Sequence, residues 1–409
     1  MRTAAWAVLI ALLAVALAVI VFTVPWASPP PRAEQLAALN SLPADAITRA
    51  REFHSELRPG GYISLLLGLA MALVLGLTPL GARMIGALGS HWLVRAILGG
   101  LLLVAVSQIL LLPLSVWRES ILRRYGLSTH DWGSWGIDVL KGLLVEAVIV
   151  TLVLAAFYTL VRFAPRWWWA IGAGGAAALV VLMSFILPVL IEPVFNKFTP
   201  MEPSPLRTTL LQLAEKDDIP VRDVLVADAS RRTRAVNAYV SGIGLTRRIV
   251  VYDTLLKEAP PREVVSVVAH ELGHVKANDV RDGTLLGAFF AAAGVIGIYL
   301  LGGWDGLLRR AGVESITEPR ALALLFAVAA IAGLFLAPFQ NLVSRQIEAR
   351  ADDHALQLTD DPTGFAAMQR RLSLVNLGDP DPPRLEYLLF SSHPSAVERI
   401  AAAQAWQTK

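Results

Sequence analysis

His270-Glu271-Leu272-Gly273-His274 sets two imidazoles four residues apart with a carboxylate between them. In a helix, positions i and i+4 share a face, so both rings can bind one ion. Glu271 then points near the ion's open position, where it can act on a bound water. Imidazole nitrogens, tetrahedral geometry and one position left for water suit Zn2+. Such an ion lowers the pKa of water, and the carboxylate takes the proton as the water attacks a peptide carbonyl. The spacing therefore predicts a zinc-dependent peptide hydrolase with His270 and His274 as ligands and Glu271 as base.

The chain has no cysteine in 409 residues, which excludes disulfides and thiolate metal sites. A third ligand must come from His, Asp or Glu. Glu348 and Asp352 lie at i, i+4 in a predicted helix, so one carboxylate can bind the ion while the other orients a ligand histidine. His354 is six positions from Glu348, about 120° around the helix axis, so both cannot face one ion well. A three-His site through His393 is the alternative. His393 precedes Pro394, which holds it extended or in a turn. From there it could reach the cleft and stabilise an oxyanion, or the stretch Ser391–Ser395 could simply open a last helix. His54, His91 and His130 read as solvated loop residues, and His354 as a solvated helix residue.

The elements that must position these residues are mostly membrane helices. Hydrophobic residues make up 55% of the chain and charged ones 17%, and the mean hydropathy is +0.55. Soluble domains are nearer a quarter charged. A hydrocarbon core about 30 Å thick needs roughly 20 apolar residues in helix. Seven stretches qualify: Ala4–Trp26, Tyr62–Leu80, Val94–Trp117, Leu140–Phe163, Trp168–Ile191, Thr284–Gly303 and Ala321–Phe339. Trp117, Arg118, Arg162 and Trp167 mark their ends as interfacial anchors. The first stretch exceeds the usual secretory apolar region of about 7–15 residues, which favours a retained anchor over a signal peptide. Glu146 lies inside the fourth stretch, where a carboxylate is costly.

Two polar segments remain, Glu192–Asp282 and Asn341–Lys409. With seven spans, the loop after the fifth and the tail after the seventh share a compartment, where they can build one site. Basic residues flank the spans somewhat more densely on that side, which places the site on the cytoplasmic side. The loop Ala27–Gly60 is expected to hold a short amphipathic helix. A net charge of +3 without a dense basic run fits a protein beside membrane lipid and carries no nucleic-acid signature. Within the large loop, Val224–Ala227, Val236–Gly242 and Arg248–Tyr252 read as strands. After Pro260-Pro261 the pattern turns helical, with Val264, Val265, Val268, Leu272 and Val275 on one face.

On these pieces the chain resembles the type I CAAX prenyl proteases, integral-membrane zinc peptidases of the gluzincin kind. The matching residues are His270-Glu271-Leu272-Gly273-His274, Glu348-Ala349-Arg350-Ala351-Asp352, Phe195-Asn196-Lys197-Phe198-Thr199-Pro200, Asn237-Ala238-Tyr239 and His393-Pro394. The resemblance runs from about Leu187 to Ile400, and the five preceding spans agree in number. It implies a mainly α, seven-transmembrane-helix protein enclosing a chamber, with a zinc metallopeptidase domain carrying a small β-sheet. The division would be a five-span region, 1–191, and a peptidase region with two further spans, 192–409. It implies Glu348 as third zinc ligand, Asp352 and Arg399 beside the ligands, and His393 near the zinc. Asn237, Ala238 and Tyr239 would form an edge strand holding substrate backbone. The partner is a peptide or protein substrate, including a lipid-modified one. The Ala-rich, Arg-over-Lys composition suggests a bacterial chain in a bacterial cell membrane. Two other readings are a quality-control protease degrading membrane proteins and a transporter. The spans lack the paired mid-membrane breaks a transporter would show.

Overall fold

The computed structural model describes residues 1–242 and 244–407. Among them, seven helices are long and apolar enough to cross a membrane. They are α1 (Arg2–Thr23), α2 (Ala44–Gly76), α3 (Trp92–Arg124), α4 (Trp132–Phe163), α5 (Trp168–Ile186), α8 (Asp279–Leu301) and α9 (Leu322–Thr359). Between α5 and α8 lie α6 (Pro205–Lys216) and α7 (Pro261–Lys276). After α9 come α10 (Pro362–Val375), α11 (Arg384–Phe390) and α12 (Ala396–Trp406). The expected short helix in the first loop is present at Arg32–Asn40, and its Ala38 packs with Val397, Ile400 and Ala401 of α12.

Several helices run past their apolar stretches. The seventh stretch and the segment bearing Glu348 are one 38-residue helix, α9, continuous through Pro338. Hydropathy detects only the part that lipid must cover, whereas helix formers such as Gln346, Glu348, Ala349 and Arg350 prolong the helix into water. His54, expected in a loop, likewise lies on the polar start of α2. Its Nε2 sits 3.1 Å from the Asp379 N–H and 3.0 Å from the Leu377 carbonyl.

The spanning helices pair in file: α1 on α8, α8 on α5, α5 on α4, α4 on α3, α3 on α2 and α2 on α9. At most 22% of any span's apolar window is buried. The helices thus pair in sequence along the file and do not pack about a common centre. At the end away from the polar domain, Ala5, Trp168, Ile296 and Leu324 join α1, α5, α8 and α9 in one apolar cluster. α2 and α9 meet closely because Gly76 has no Cβ; one there would lie 2.4 Å from the Ala323 carbonyl.

At the other end sits a four-stranded sheet in the order β1-β2-β4-β3. Its strands are β1 (Phe198–Pro200), β2 (Asp223–Ala227), β3 (Ala238–Ser241) and β4 (Arg248–Tyr252). β2 and β4 pair in parallel, and β1 and β3 are antiparallel outer strands. The third strand is shorter than Val236–Gly242 and ends where Gly242 takes φ +88°. Val224, Ile249 and Val251 of the sheet share one core with Val264, Val268 and Leu272 of α7.

Candidate metal centre

α7 starts at Pro261, whose missing N–H would be unpaired in a first turn anyway. Burial of Val264, Val267, Val268 and Leu272 against Leu210, Ile249 and Phe365 fixes its rotation. His270 and His274 therefore face α9. Gly273 lets the two helices touch: a Cβ there would lie 3.2 Å from the Ala351 backbone and 3.1 Å from His354 Cβ. α7 stops at Lys276, and Asn278 turns the chain through the left-handed region at φ 61°, which Asn tolerates better than most residues. That corner brings Asp279, in the first turn of α8, back onto His274.

The two polar segments meet here. His270 Nε2 lies 3.1 Å from His274 Nε2. A Glu348 oxygen lies 3.2 Å from His270 Nε2, and the other lies 3.7 Å from His274 Nε2. The far ring nitrogens are engaged. His270 Nδ1 is 2.8 Å from Asp352 Oδ1, and His274 Nδ1 is 2.8 Å from Asp279 Oδ2. An ionised carboxylate only accepts, so each Nδ1 carries the proton. The two Nε2 atoms then face each other and the Glu348 carboxylate, where a positive charge, a proton or a metal ion, must sit.

This arrangement fits a cation and little else. One ligand atom from each of His270, His274 and Glu348 lies within 4.8 Å of the other two. Ligands about 2.0–2.2 Å from a tetrahedral ion are roughly 3.3–3.6 Å apart, close to the separations found. Glu348 Oε2 is buried without a hydrogen-bond partner. Burial lowers the His270 pKa, but its bonds to Asp352 and Glu348 outweigh that and push it up to about 9. A proton would thus fill the demand for positive charge that a metal ion meets.

The surroundings hold the set in place. Partly buried Arg399, on α12, donates from Nε to Asp352 Oδ2 at 2.7 Å and from Nη2 to Oδ1. Arg350 donates from Nη2 to Asp279 and from Nη1 to the Thr23 carbonyl at 2.8 Å. Glu271 faces a cleft of about 540 Å3 shared with Asn237, Gln369, Asn376, Tyr387 and His393. Burial raises the Glu271 pKa, opposed by the charges of His270 and His274. His393 Nε2 approaches Glu348 Oε1 at 3.2 Å from the open side.

Other expected residues lie differently. Of the edge-strand residues, only Asn237 lines the cleft. Its carbonyl accepts from the Tyr252 N–H at 3.0 Å. Ala238 is buried, and Tyr239 Oη donates to Glu192 at 3.1 Å. His354 was expected to be solvated; it is partly buried, with Nε2 2.8 Å from Asp217 Oδ2, away from the set. Glu146 accepts from Gln108 on the neighbouring span at 3.2 Å. Asp279 was missed in the sequence. It is five residues past His274, a spacing no single helix face explains, and only the corner at Asn278 brings it back.

The profile of peptidase family M48 matches residues 200–407, and that of the CAAX prenyl protease N-terminal region, five membrane helices, matches 59–197. An uncharacterized metalloprotease, YhfN, of Bacillus subtilis is 30% identical over 307 residues, covering 73% of this chain and 71% of its own. A CAAX prenyl protease 1 homolog of Arabidopsis thaliana is 32% identical over 304 residues, covering 72% and 70%. The crystal structure of S. mikatae Ste24p superposes with a TM-score of 0.77 at 22% identity, covering 98% of each chain.

A carboxylate on the far nitrogen of a ligand histidine fixes its tautomer, and its loss weakens metal binding about 10–100-fold. Asp279→Ala should therefore weaken metal affinity by that factor in chelator-competition titrations, while His354→Ala leaves it unchanged. Equal affinities in Asp279→Ala and the parent would refute the role given to that contact.

Proposed function

This chain belongs to peptidase family M48 and is a multi-span membrane metalloprotease, and from that premise we propose that its metal is zinc, held by His270, His274 and Glu348. The observation that carries the proposal is the convergence of two Nε2 atoms, each with its Nδ1 held by a carboxylate, on the buried Glu348 carboxylate. A donor set of imidazole and carboxylate without thiolate suits zinc, which supplies a Lewis acid and water of lowered pKa. Asp352 and Asp279 hold the two rings in the ligating tautomer, and Arg399 fixes Asp352.

In this reading the substrate backbone lies along the free edge of β3, where strand addition tolerates many side chains. Asn237 orients it from the start of that strand, with Ala238 and Tyr239 contributing backbone. Glu271 takes the proton of the attacking water and passes it to the departing amine. Its burial raises its basicity, which favours a general base. His393 donates to the carbonyl oxygen as negative charge develops there. Residues 1–191 supply most of the chamber wall, and 192–409 carry the chemistry. Relatives are named CAAX prenyl proteases, and we extend to this chain a peptide substrate bearing a lipid near the cleaved bond. Burying the lipid in an apolar chamber wall would keep that bond at the cleft.

The polar domain faces the cytoplasm of a bacterial cell in this proposal, because Arg118, Arg123 and Arg124 lie on its side of the membrane. The absence of cysteine from the chain permits a direct test. Glu215→Cys, on exposed α6 of the polar domain, should resist a membrane-impermeant thiol reagent applied outside intact cells. Asp305→Cys, at the opposite end, should react. The reverse pattern would place the site outside.

Glu271→Gln should keep its zinc and lose roughly 100- to 10,000-fold in kcat, the range of general-base catalysis. Asn237→Ala should lose activity with its unfolding temperature unchanged. Both are measured on one peptide made with and without a prenyl group, the prenylated form being the better substrate. Wild-type kcat in Glu271→Gln would remove it as base, and equal cleavage of the two peptides would remove the lipid from recognition.

A further inference from the structure

α9 carries Asn341, Arg345, Glu348 and Asp352 at steps of four, three and four, a single stripe on one face. The last two belong to the metal centre; the first two reach α11. Asn341 Nδ2 donates to the Leu389 carbonyl at 2.6 Å. Arg345 Nη1 donates to the Tyr387 carbonyl at 3.1 Å and the Ser391 carbonyl at 2.6 Å. Its guanidinium also stands 4.5 Å from the centre of the Tyr387 ring. Tyr387 and Leu389 lie in the last turn of α11, and Ser391 follows it. The end of a helix leaves carbonyls unpaired, and a cation is favoured there; the Tyr387 carbonyl also accepts from the Ser391 N–H at 3.3 Å. α9 thus caps α11 with side chains.

Arg345 is 7% exposed, and among the described residues no carboxylate lies within 4 Å of it. Burying such a charge is unfavourable unless something compensates it. Two carbonyls and one aromatic face, all from the same short segment, are the compensation. Two residues past Ser391 stands His393. Its side chain is 59% exposed, with Nε2 3.2 Å from Glu348 Oε1 and Nδ1 2.9 Å from the Ser392 hydroxyl, so the backbone of this segment decides whether the ring reaches the cleft. The far end of the segment is pinned as well. Ser395 and Glu398 form a capping box at the start of α12, and Tyr387 Oη donates to Glu398 at 2.7 Å.

We propose that Arg345 is a positioning residue for His393: by holding the C-terminal end of α11, it sets where the His393 imidazole stands over the cleft. The inference rests on the reading that His393 acts on the reacting carbonyl. One face of α9 then places both the Glu348 carboxylate and the opposing imidazole. Lysine keeps the charge but lacks the planar fork that spans two carbonyls while stacking on a ring. Arg345→Lys should therefore release the segment without emptying the core of charge.

The test compares Arg345→Lys, His393→Ala and the double variant, purified in detergent. The readouts are peptide kcat and KM, metal content, unfolding midpoint and amide exchange of residues 384–393. His393→Ala should lose roughly a hundredfold in kcat, as expected for loss of an oxyanion donor. Arg345→Lys should lose a similar factor, with metal content, midpoint and KM near those of the parent and faster exchange in that segment. The double variant should be no worse than the worse single, because both remove one function. Full kcat in Arg345→Lys beside an impaired His393→Ala overturns the proposal, as do losses that multiply in the double. Wild-type kcat in His393→Ala overturns both the proposal and the reading of His393. If Arg345→Lys does not fold, Asn341→Ala carries the same test. It must lose kcat alone and nothing further in the His393→Ala background.

Discussion

Three groups converge on one point: Nε2 of His270, Nε2 of His274 and the Glu348 carboxylate. Unpaired lone pairs held this close are unfavourable in a protein interior without a positive charge between them. The surrounding structure maintains that geometry. Asp352 and Asp279 hold the outer nitrogens, and Arg399 and Arg350 keep those carboxylates aimed. The participants come from α7, α8, α9 and α12, so the centre exists only once four helices have assembled. Gly273 sets how closely the first and third of these approach.

The membrane region and the metal centre are mechanically one object. α9 crosses the bilayer region and continues without a break to Glu348 and Asp352. α1 ends at Thr23, whose carbonyl holds the arginine that holds Asp279. The first loop docks its short helix on α12, next to Arg399. A ligand carboxylate built on a membrane-spanning helix moves with that helix. Sites on rigid helices hold their geometry better than sites on loops.

Much of this was readable from residue types and spacing. Seven apolar stretches, the i, i+4 histidines and the paired carboxylates Glu348 and Asp352 are local patterns. Each reports a physical period or a length that lipid imposes. The parity of seven spans was enough to bring the loop after the fifth and the tail after the seventh together. What escaped was the contact made through a corner or across long separations. Asp279 reaches His274 only because Asn278 takes a left-handed turn, and Asp217 captures His354 from 137 residues away. Arg345 binds carbonyls of α11, a contact that no spacing along its own helix shows. The strand Phe198–Pro200 is too short and too proline-bound to show as a period; its pairing with β2 defines it.

The most direct test of the central claim is anomalous diffraction from crystals of the purified protein, collected on either side of the zinc absorption edge. The account predicts one strong peak about 2.0–2.2 Å from His270 Nε2, His274 Nε2 and a Glu348 oxygen, with Asp352 and Asp279 on the outer nitrogens. A peak bound elsewhere, or none at that position in protein that cleaves peptide, would contradict it.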